Sequence, residues 1–237
     1  MLIKQKFFKF AHKIFTGAAQ LFDFRCYNMN LSWFHDKEYL SIWNNFVETN
    51  KKIHERRFNL FSFAKSVQNI EGDIAECGVY KGAGSYLMLH ANKDKGKTLH
   101  IFDSFEGLSD PEEVDAPKRD RAFSWKKNDL SVPEEQVRKN LQEFSNIKYY
   151  KGWIPDRFSE VSEKKFSLVH IDVDLYQPTL ESVKFFYDRM SVGGLIICDD
   201  YGFETCPGAR KAMDEFVENK PETVVHLTSG HGIIIKQ

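Results

Sequence analysis

Four aspartates stand where two apolar runs end, and their spacing is that of a site built to hold positive charge. Phe166-Ser167-Leu168-Val169-His170-Ile171 reads as a buried strand followed by Asp172 and Asp174, and Gly193-Gly194-Leu195-Ile196-Ile197-Cys198 as a second one followed by Asp199, Asp200 and Tyr201. Parallel strands of an open α/β sheet end on one edge, where ligands bind. The four acids are therefore expected to converge. Converging carboxylates stay ionised only beside a compensating cation, for which a hard divalent metal with oxygen ligands is the simplest candidate. Which of Asp172 and Asp174 faces the metal stays open, because side-chain alternation does not extend past a strand's end. The plain alternative for Asp199 and Asp200 is to cap the following turn.

A second group of residues suits a nucleoside. Glu76-Cys77-Gly78-Val79-Tyr80-Lys81-Gly82-Ala83-Gly84-Ser85 lets backbone approach a ligand closely, and Asp103, at the next strand end, is placed to accept hydrogen bonds from ribose hydroxyls. The glycine order G-x-x-x-G-x-G is not the dinucleotide G-x-G-x-x-G, which disfavours a pyrophosphate cradle. Glycines that serve only a tight turn are the alternative. His170, inside an apolar strand, reads as a core histidine, with proton transfer as its other reading. Trp153 and Tyr201 read as pocket walls and His231 as structural.

These residues need an α/β frame. Strands are expected at Asp73–Cys77, Leu99–Phe102, Ile147–Tyr150, Phe166–Ile171, Leu195–Cys198, Thr223–Leu227 and Gly232–Lys236. The last two, joined through Ser229-Gly230, predict an antiparallel hairpin. The result is a Rossmann-like, seven-stranded, mostly parallel sheet with one antiparallel edge strand and helices on both faces. Two helices are expected between Asp36 and Gln68, so residues 1–70 form a helical region for substrate or subunit contacts and 71–237 the ligand-binding domain. The charged stretch 104–130 has no apolar period and reads as a mobile lid.

The residues quoted above, with Asp103-Ser104-Phe105-Glu106-Gly107-Leu108, Lys151-Gly152-Trp153, Ile171-Asp172-Val173-Asp174-Leu175-Tyr176 and Cys206-Pro207-Gly208-Ala209-Arg210-Lys211-Ala212, resemble the class I S-adenosylmethionine-dependent methyltransferases. The resemblance is specifically to the macrocin and mycinamicin O-methyltransferase family, from Glu71 onward. It implies that Glu76, Cys77, Gly78, Val79, Tyr80, Gly82 and Ser85 hold the amino-acid part of S-adenosylmethionine. Asp103 and Ser104 would take its ribose, Gly152 and Trp153 would border its adenine, and Asp172 would lie beside it. It further implies magnesium on Asp172, Asp199 and Asp200, and a general base at Asp174, with Asp172 as its catalytic neighbour. His170 stands where sugar-modifying members carry arginine, and Gln177-Pro178 replaces a Glu-Ser pair. The implied activity is O-methylation of a hydroxyl on a sugar or glycosylated small molecule. A catechol-type acceptor is the second choice, and an NAD-dependent oxidoreductase or a non-catalytic nucleoside-binding protein are the competing classes.

Composition sets the bounds. The chain of 237 residues, 42% hydrophobic, suffices for one well-buried α/β domain, and a net charge of −1 gives no electrostatic footprint for nucleic acid. Cys26, Cys77, Cys198 and Cys206 lack C-x-x-C spacing, which suggests reduced thiols and a cytoplasmic setting. In residues 1–24, Lys4, Lys6, Lys9 and Lys13 interrupt every apolar run, so neither a signal core nor a membrane span fits. That segment is expected to pack on the domain or on a second subunit of a homo-oligomer. The alternative is a basic helix lying on an anionic membrane.

Overall fold

A computed structural model describes residues 2–23, 31–46, 54–118 and 124–237, with side chains from residue 10 onward. Cys26, Val47 and the charged Arg119, Asp120 and Arg121 lie outside the described residues. The chain divides into two compact units, Met1–Ser41 and Ile42–Gln237. The first holds helix α1 (Leu2–Gln20) and a 3-10 turn at Ser32–His35, and helix α2 runs over Lys37–Asn45. Asp36 caps α2, its carboxylate accepting from the Tyr39 N–H at 2.8 Å. No helix among the described residues is long and apolar enough to cross a membrane.

The second unit is built on seven strands: β1 (Asp73–Cys77), β2 (Leu99–Asp103), β3 (Ile147–Lys151), β4 (Phe166–Ile171), β5 (Met190–Cys198), β6 (Val225–His226) and β7 (Gly232–Ile235). They pair in the order β3-β2-β1-β4-β5-β7-β6. β1 to β5 are mutually parallel, and β7 is the reversed strand, antiparallel to both β5 and the two-residue rim strand β6. The helices are α3 (His54–Ser66), α4 (Ala83–Ala91), α5 (Glu134–Asn140), α6 (Tyr176–Tyr187) and α7 (Pro207–Val217).

Alternation along the strands fixes the two faces. Ala75, Cys77, Val169, Ile171, Ile196 and Cys198 share one core with Val183, Phe186 and Met213 of α6 and α7. Phe102, Phe158, Phe166 and Phe186 close that core, with ring centroids 5.0–5.8 Å apart. The intervening residues Ile74, Glu76, Leu168 and His170 therefore look to the opposite face, where α3 packs on α4. Because the chain runs outward from β1 to β3 and then returns to β4, the crevice between the β1 and β4 ends is the switch point where such sheets bind ligands.

Two acids tie the frame away from that crevice. Asp73 accepts from His100 Nε2 at 3.0 Å and from Lys164 at 2.9 Å. Glu222 accepts from the Tyr187 hydroxyl at 2.7 Å and the Gln237 N–H at 3.1 Å, with Lys236 alongside. Burial alone would push both carboxyls up. The donors outweigh it, holding Asp73 far below the ordinary carboxylate range and Glu222 at about 2 instead of 4.5. A depressed folded pKa means the unfolded chain binds more protons, so this stability is present above pH about 4.5 and is lost as pH falls toward 2. The melting temperature is expected to drop across that window, and more shallowly in Glu222→Gln, which has no proton to gain. Equal slopes in a pH series of thermal melts would contradict this.

Candidate active site

The β1 end and the β4 end touch through one glycine. Gly78 sits at φ +81°, and a Cβ there would overlap the Asp172 carbonyl oxygen. Only a residue without a side chain lets the loop after β1 lie against the start of the D-x-D segment. The Asp172 N–H bonds the Cys77 carbonyl at 2.8 Å, which continues the pairing to that point. Across the crevice, Asp103 uses both oxygens on loop backbone, accepting from Val79 N–H at 2.7 Å and Phe105 N–H at 2.6 Å. Burial still raises its pKa, with the Glu76 carboxylate adding to the effect.

These ends frame a cavity of about 240 Å³. Gly78, Tyr80, Asp103, Ser104, Gly152 and Trp153 line one part of it, and Asp172, Asp174, Gln177 and Pro178 the other. Seven of the residues expected to hold cofactor thus line this one cavity. Glu76, Cys77, Val79, Gly82 and Ser85 do not line it. Cys77 is wholly buried, and burial raises its thiol to about 12. Glu76 is buried beneath the loop, bonded to Ser85 Oγ and, at 2.9 Å, to His170 Nδ1. Gly82 caps α4 at φ +92°, and the Val79 N–H is spent on Asp103. Tyr201, expected as a wall, instead turns its hydroxyl to Asp214 at 2.6 Å, because its ring packs against Gly232 in the core. Gly78→Ala should fold with a lowered melting temperature and bind S-adenosylmethionine about 10-fold more weakly, since strain and overlap at φ > 0 must displace the cavity floor. Calorimetric titration measures this, and unchanged affinity would argue against the crevice as the site.

Part of the stretch expected to form a lid reaches the cavity. Gly107, Leu108, Ser109 and Leu130 line the cavity, and Leu108 exchanges backbone hydrogen bonds of 2.9 Å with Asn128 and Asp129. Farther along, Asp115 is buried, forms a capping box with Glu112, and accepts from the Tyr176 N–H at 2.7 Å at the first turn of α6. Charge density had concealed these anchors.

The four aspartates reach the same edge but form two groups. His170, Asp172 and Asp199 make one, and Asp174, Asp200 and Cys206 the other, with the ligand atoms of each within 4.8 Å. The three acids expected to bind metal are split between them. Asp174 takes φ +60°, which turns its carboxylate under the Cys206 thiol, a 3.4 Å donor, while its N–H bonds Asp200 Oδ2 at 3.1 Å. Burial and then the Asp172 charge push Asp174 up to about 7. Burial, Asp174 and Asp172 push Asp200 well above the carboxylate range. Neighbouring carboxyls that would rather hold protons than charge are the electrostatic mark of a cation site. Asp199 Oδ1 and His170 Nε2, 3.4 Å apart, make no well-aligned hydrogen bond among the described residues, although the His231 imidazole also borders that oxygen. Carboxylate oxygens and an imidazole nitrogen left in this condition fit a divalent cation.

Two residues without a sequence signal complete the cluster. Arg56, from α3, pairs with Asp199, reaches Asp200 Oδ1 at 3.5 Å and the Asp199 carbonyl at 3.0 Å, and stacks its guanidinium 4.4 Å from the Phe203 ring centroid. His231 Nε2 lies 2.9 Å from Asp199 Oδ1. Burial, His170 and the Arg56 and Arg57 charges drive His231 down to about 3, so it is a neutral imidazole whose Nδ1 faces Ser229 Oγ at 2.9 Å.

The model of the macrocin-O-methyltransferase (TylF) family matches residues 52–226, most of the chain and every residue of the cavity wall. This chain belongs to the macrocin O-methyltransferase family. Among its relatives is demethyldecarbamoylnovobiocin O-methyltransferase of Streptomyces niveus, 32% identical over 156 residues, or 62% of this chain and 59% of that protein. Mycinamicin III 3''-O-methyltransferase of Micromonospora griseorubida is 26% identical over 157 residues, 62% and 61% of the two chains. The chain thus aligns with about three fifths of the length of these relatives. The O-methyltransferase NovP superposes with a TM-score of 0.65 at 26% identity, covering 77% of this chain and 80% of that one. The calicheamicin methyltransferase CalS11, at 16% identity, shares the fold with a TM-score of 0.66. Within the macrocin O-methyltransferase match lie Arg56 and all four aspartates, whereas α1 and His231 fall outside it.

Proposed function

We propose that this member of the macrocin O-methyltransferase family transfers a methyl group from S-adenosylmethionine to a hydroxyl of a sugar or glycosylated small molecule, with a magnesium ion at the aspartate cluster. The observation that carries the reading is the continuity of one cavity from the Asp103 ribose position to Asp172 and Asp174. The relatives named above bear on the acceptor, since their names describe O-methylation of demethyldecarbamoylnovobiocin and of mycinamicin III at a 3'' position.

The bound sulfonium would supply the methyl group, and magnesium held by Asp172, Asp199 and Asp200 would favour the deprotonated acceptor oxygen. The rest is done by the chain. Asp103, Ser104 and Gly152 orient the nucleoside, and Trp153 and Leu108 exclude water. Holding donor and acceptor in line recovers roughly 7–11 kcal/mol of the barrier in well-oriented systems. Asp174, with its carboxyl near neutrality and its place on the cavity wall, takes the hydroxyl proton.

Calorimetry with S-adenosylmethionine and with NAD, followed by a methyl-transfer screen over sugar and catechol acceptors with and without magnesium, tests the proposal. Binding of the sulfonium and magnesium-dependent methylation of glycosides support it. Preference for NAD, or methylation of catechols alone, replaces it with another activity, and tight sulfonium binding without turnover on any acceptor would favour a non-catalytic nucleoside-binding protein.

A further inference from the structure

Among the described residues of the first unit, a run of large apolar side chains is exposed. Phe10, Ile14 and Phe15 of α1, with Leu21 and Phe22 in the turn that follows, are 64%, 57%, 74%, 84% and 85% exposed. The turn continues the helical path, since Leu21 and Phe22 donate to the Ala18 and Ala19 carbonyls at 3.2 and 3.0 Å. At 100° per residue the five side chains fall within an arc of roughly 140°, while His12, Lys13, Thr16 and Gln20 take the other side. Exposed aromatic and aliphatic area of this kind is the mark of an interaction surface.

Charge identifies the occupant. Residues 1–22 contain Lys4, Lys6, Lys9 and Lys13 and no acid, and the remaining chain carries 29 Lys and Arg against 34 Asp and Glu. A second copy would set four lysines against four. A surface of anionic headgroups over acyl chains satisfies both sides of the helix at once. We propose that α1 binds in the plane of an anionic lipid bilayer, its Phe10–Phe22 face in the acyl boundary and its opposite side, with Lys13, among the headgroups. A 19-residue helix with this pattern lies along the interface and does not span it. The acidic remainder of the chain would contribute little to such binding, so affinity resides in this segment.

Sedimentation of the full chain with vesicles of equal parts phosphatidylglycerol and phosphatidylcholine, and with phosphatidylcholine alone, tests this. Binding to the first and not the second is expected, weakening as salt rises. Phe15→Glu with Phe22→Glu, and separately Lys13→Glu, should each lower partitioning by at least ~10-fold without changing the melting temperature, because Lys13, Phe15 and Phe22 are exposed. No binding to the anionic vesicles, equal binding to both vesicle types, or wild-type binding by either variant would overturn the proposal. So would a dimer in light scattering that Phe15→Glu with Phe22→Glu converts to monomer while the parent chain ignores vesicles. The covering partner would then be a second copy.

Discussion

Asp200→Asn is expected to cost at least ~10³-fold in turnover while leaving S-adenosylmethionine affinity within about 3-fold of the parent chain. The asymmetry follows from position. Asp172 lines the cavity, so its replacement would perturb donor and metal together, whereas Asp200 is not on the cavity wall. Asparagine keeps the acceptor that Asp200 Oδ2 offers to the Asp174 N–H at 3.1 Å and removes only charge. On the proposed reading, losing a charged ligand of the magnesium would forfeit several kcal/mol of stabilisation of the developing oxyanion, and each 1.36 kcal/mol is about tenfold in rate. Stability should not suffer. Asp200 repels Asp174 and Asp172, which helps to push its own pKa well above normal, so neutralising it relieves strain that the folded chain carries without metal. The measurement is paired: single-turnover methyl transfer with magnesium or with chelator, and calorimetric titration of the cofactor. A variant that turns over normally with chelator present would remove metal from the mechanism.

The strands were legible because runs such as Phe166–Ile171 are apolar throughout and end in turn residues, and all seven expected strands form. Where boundaries differ, a local cause is visible. β5 starts at Met190, three residues before Gly193-Gly194, because those glycines accommodate an irregular register against β4 and do not end the strand. The hairpin through Ser229-Gly230 was legible as a reversed strand, yet β7 inserts between β5 and a two-residue β6, a matter of tertiary pairing that no local pattern encodes. Convergence of the aspartates followed from sheet topology. Their division into two groups depends on the left-handed backbone at Asp174, which lies beyond the reach of strand alternation. Arg56 was hidden for another reason. Its helix reads from its apolar spacing, and an arginine pair on such a helix looks like a solvated face until the fold brings it to Asp199, 143 residues away. His231 was silent because a histidine between two glycines has no period to belong to. Its neighbours, Asp199 and Ser229, come from a different strand end and from its own turn.

Arg56→Ala is expected to lower stability by about 3–5 kcal/mol in the absence of divalent metal, the range found when one partner of a buried ion pair is removed. For a chain of this size that corresponds to a melting temperature roughly 10 °C lower. Arg56 is the cation held against Asp199 and Asp200, which are 1% and 4% exposed, so without it two adjacent carboxyls face each other and Asp174 in a poorly solvated site. The acids answer by taking up protons, which limits the loss at low pH. The folded pKa values of Asp174 and Asp200, already raised by burial and by neighbouring carboxylates, then rise further, so the folded state binds more protons and stability falls as pH rises. The deficit should therefore deepen between pH about 5 and 8. Magnesium should restore the variant more than it stabilises the parent chain, because ion and guanidinium compensate the same charges, and Arg56→Lys should fall between the two. Thermal melts across pH, each with chelator or magnesium, read all three effects. A deficit that ignores both pH and magnesium would mean that Arg56 serves only to pack on Phe203, and that the aspartates it touches are not a cation site.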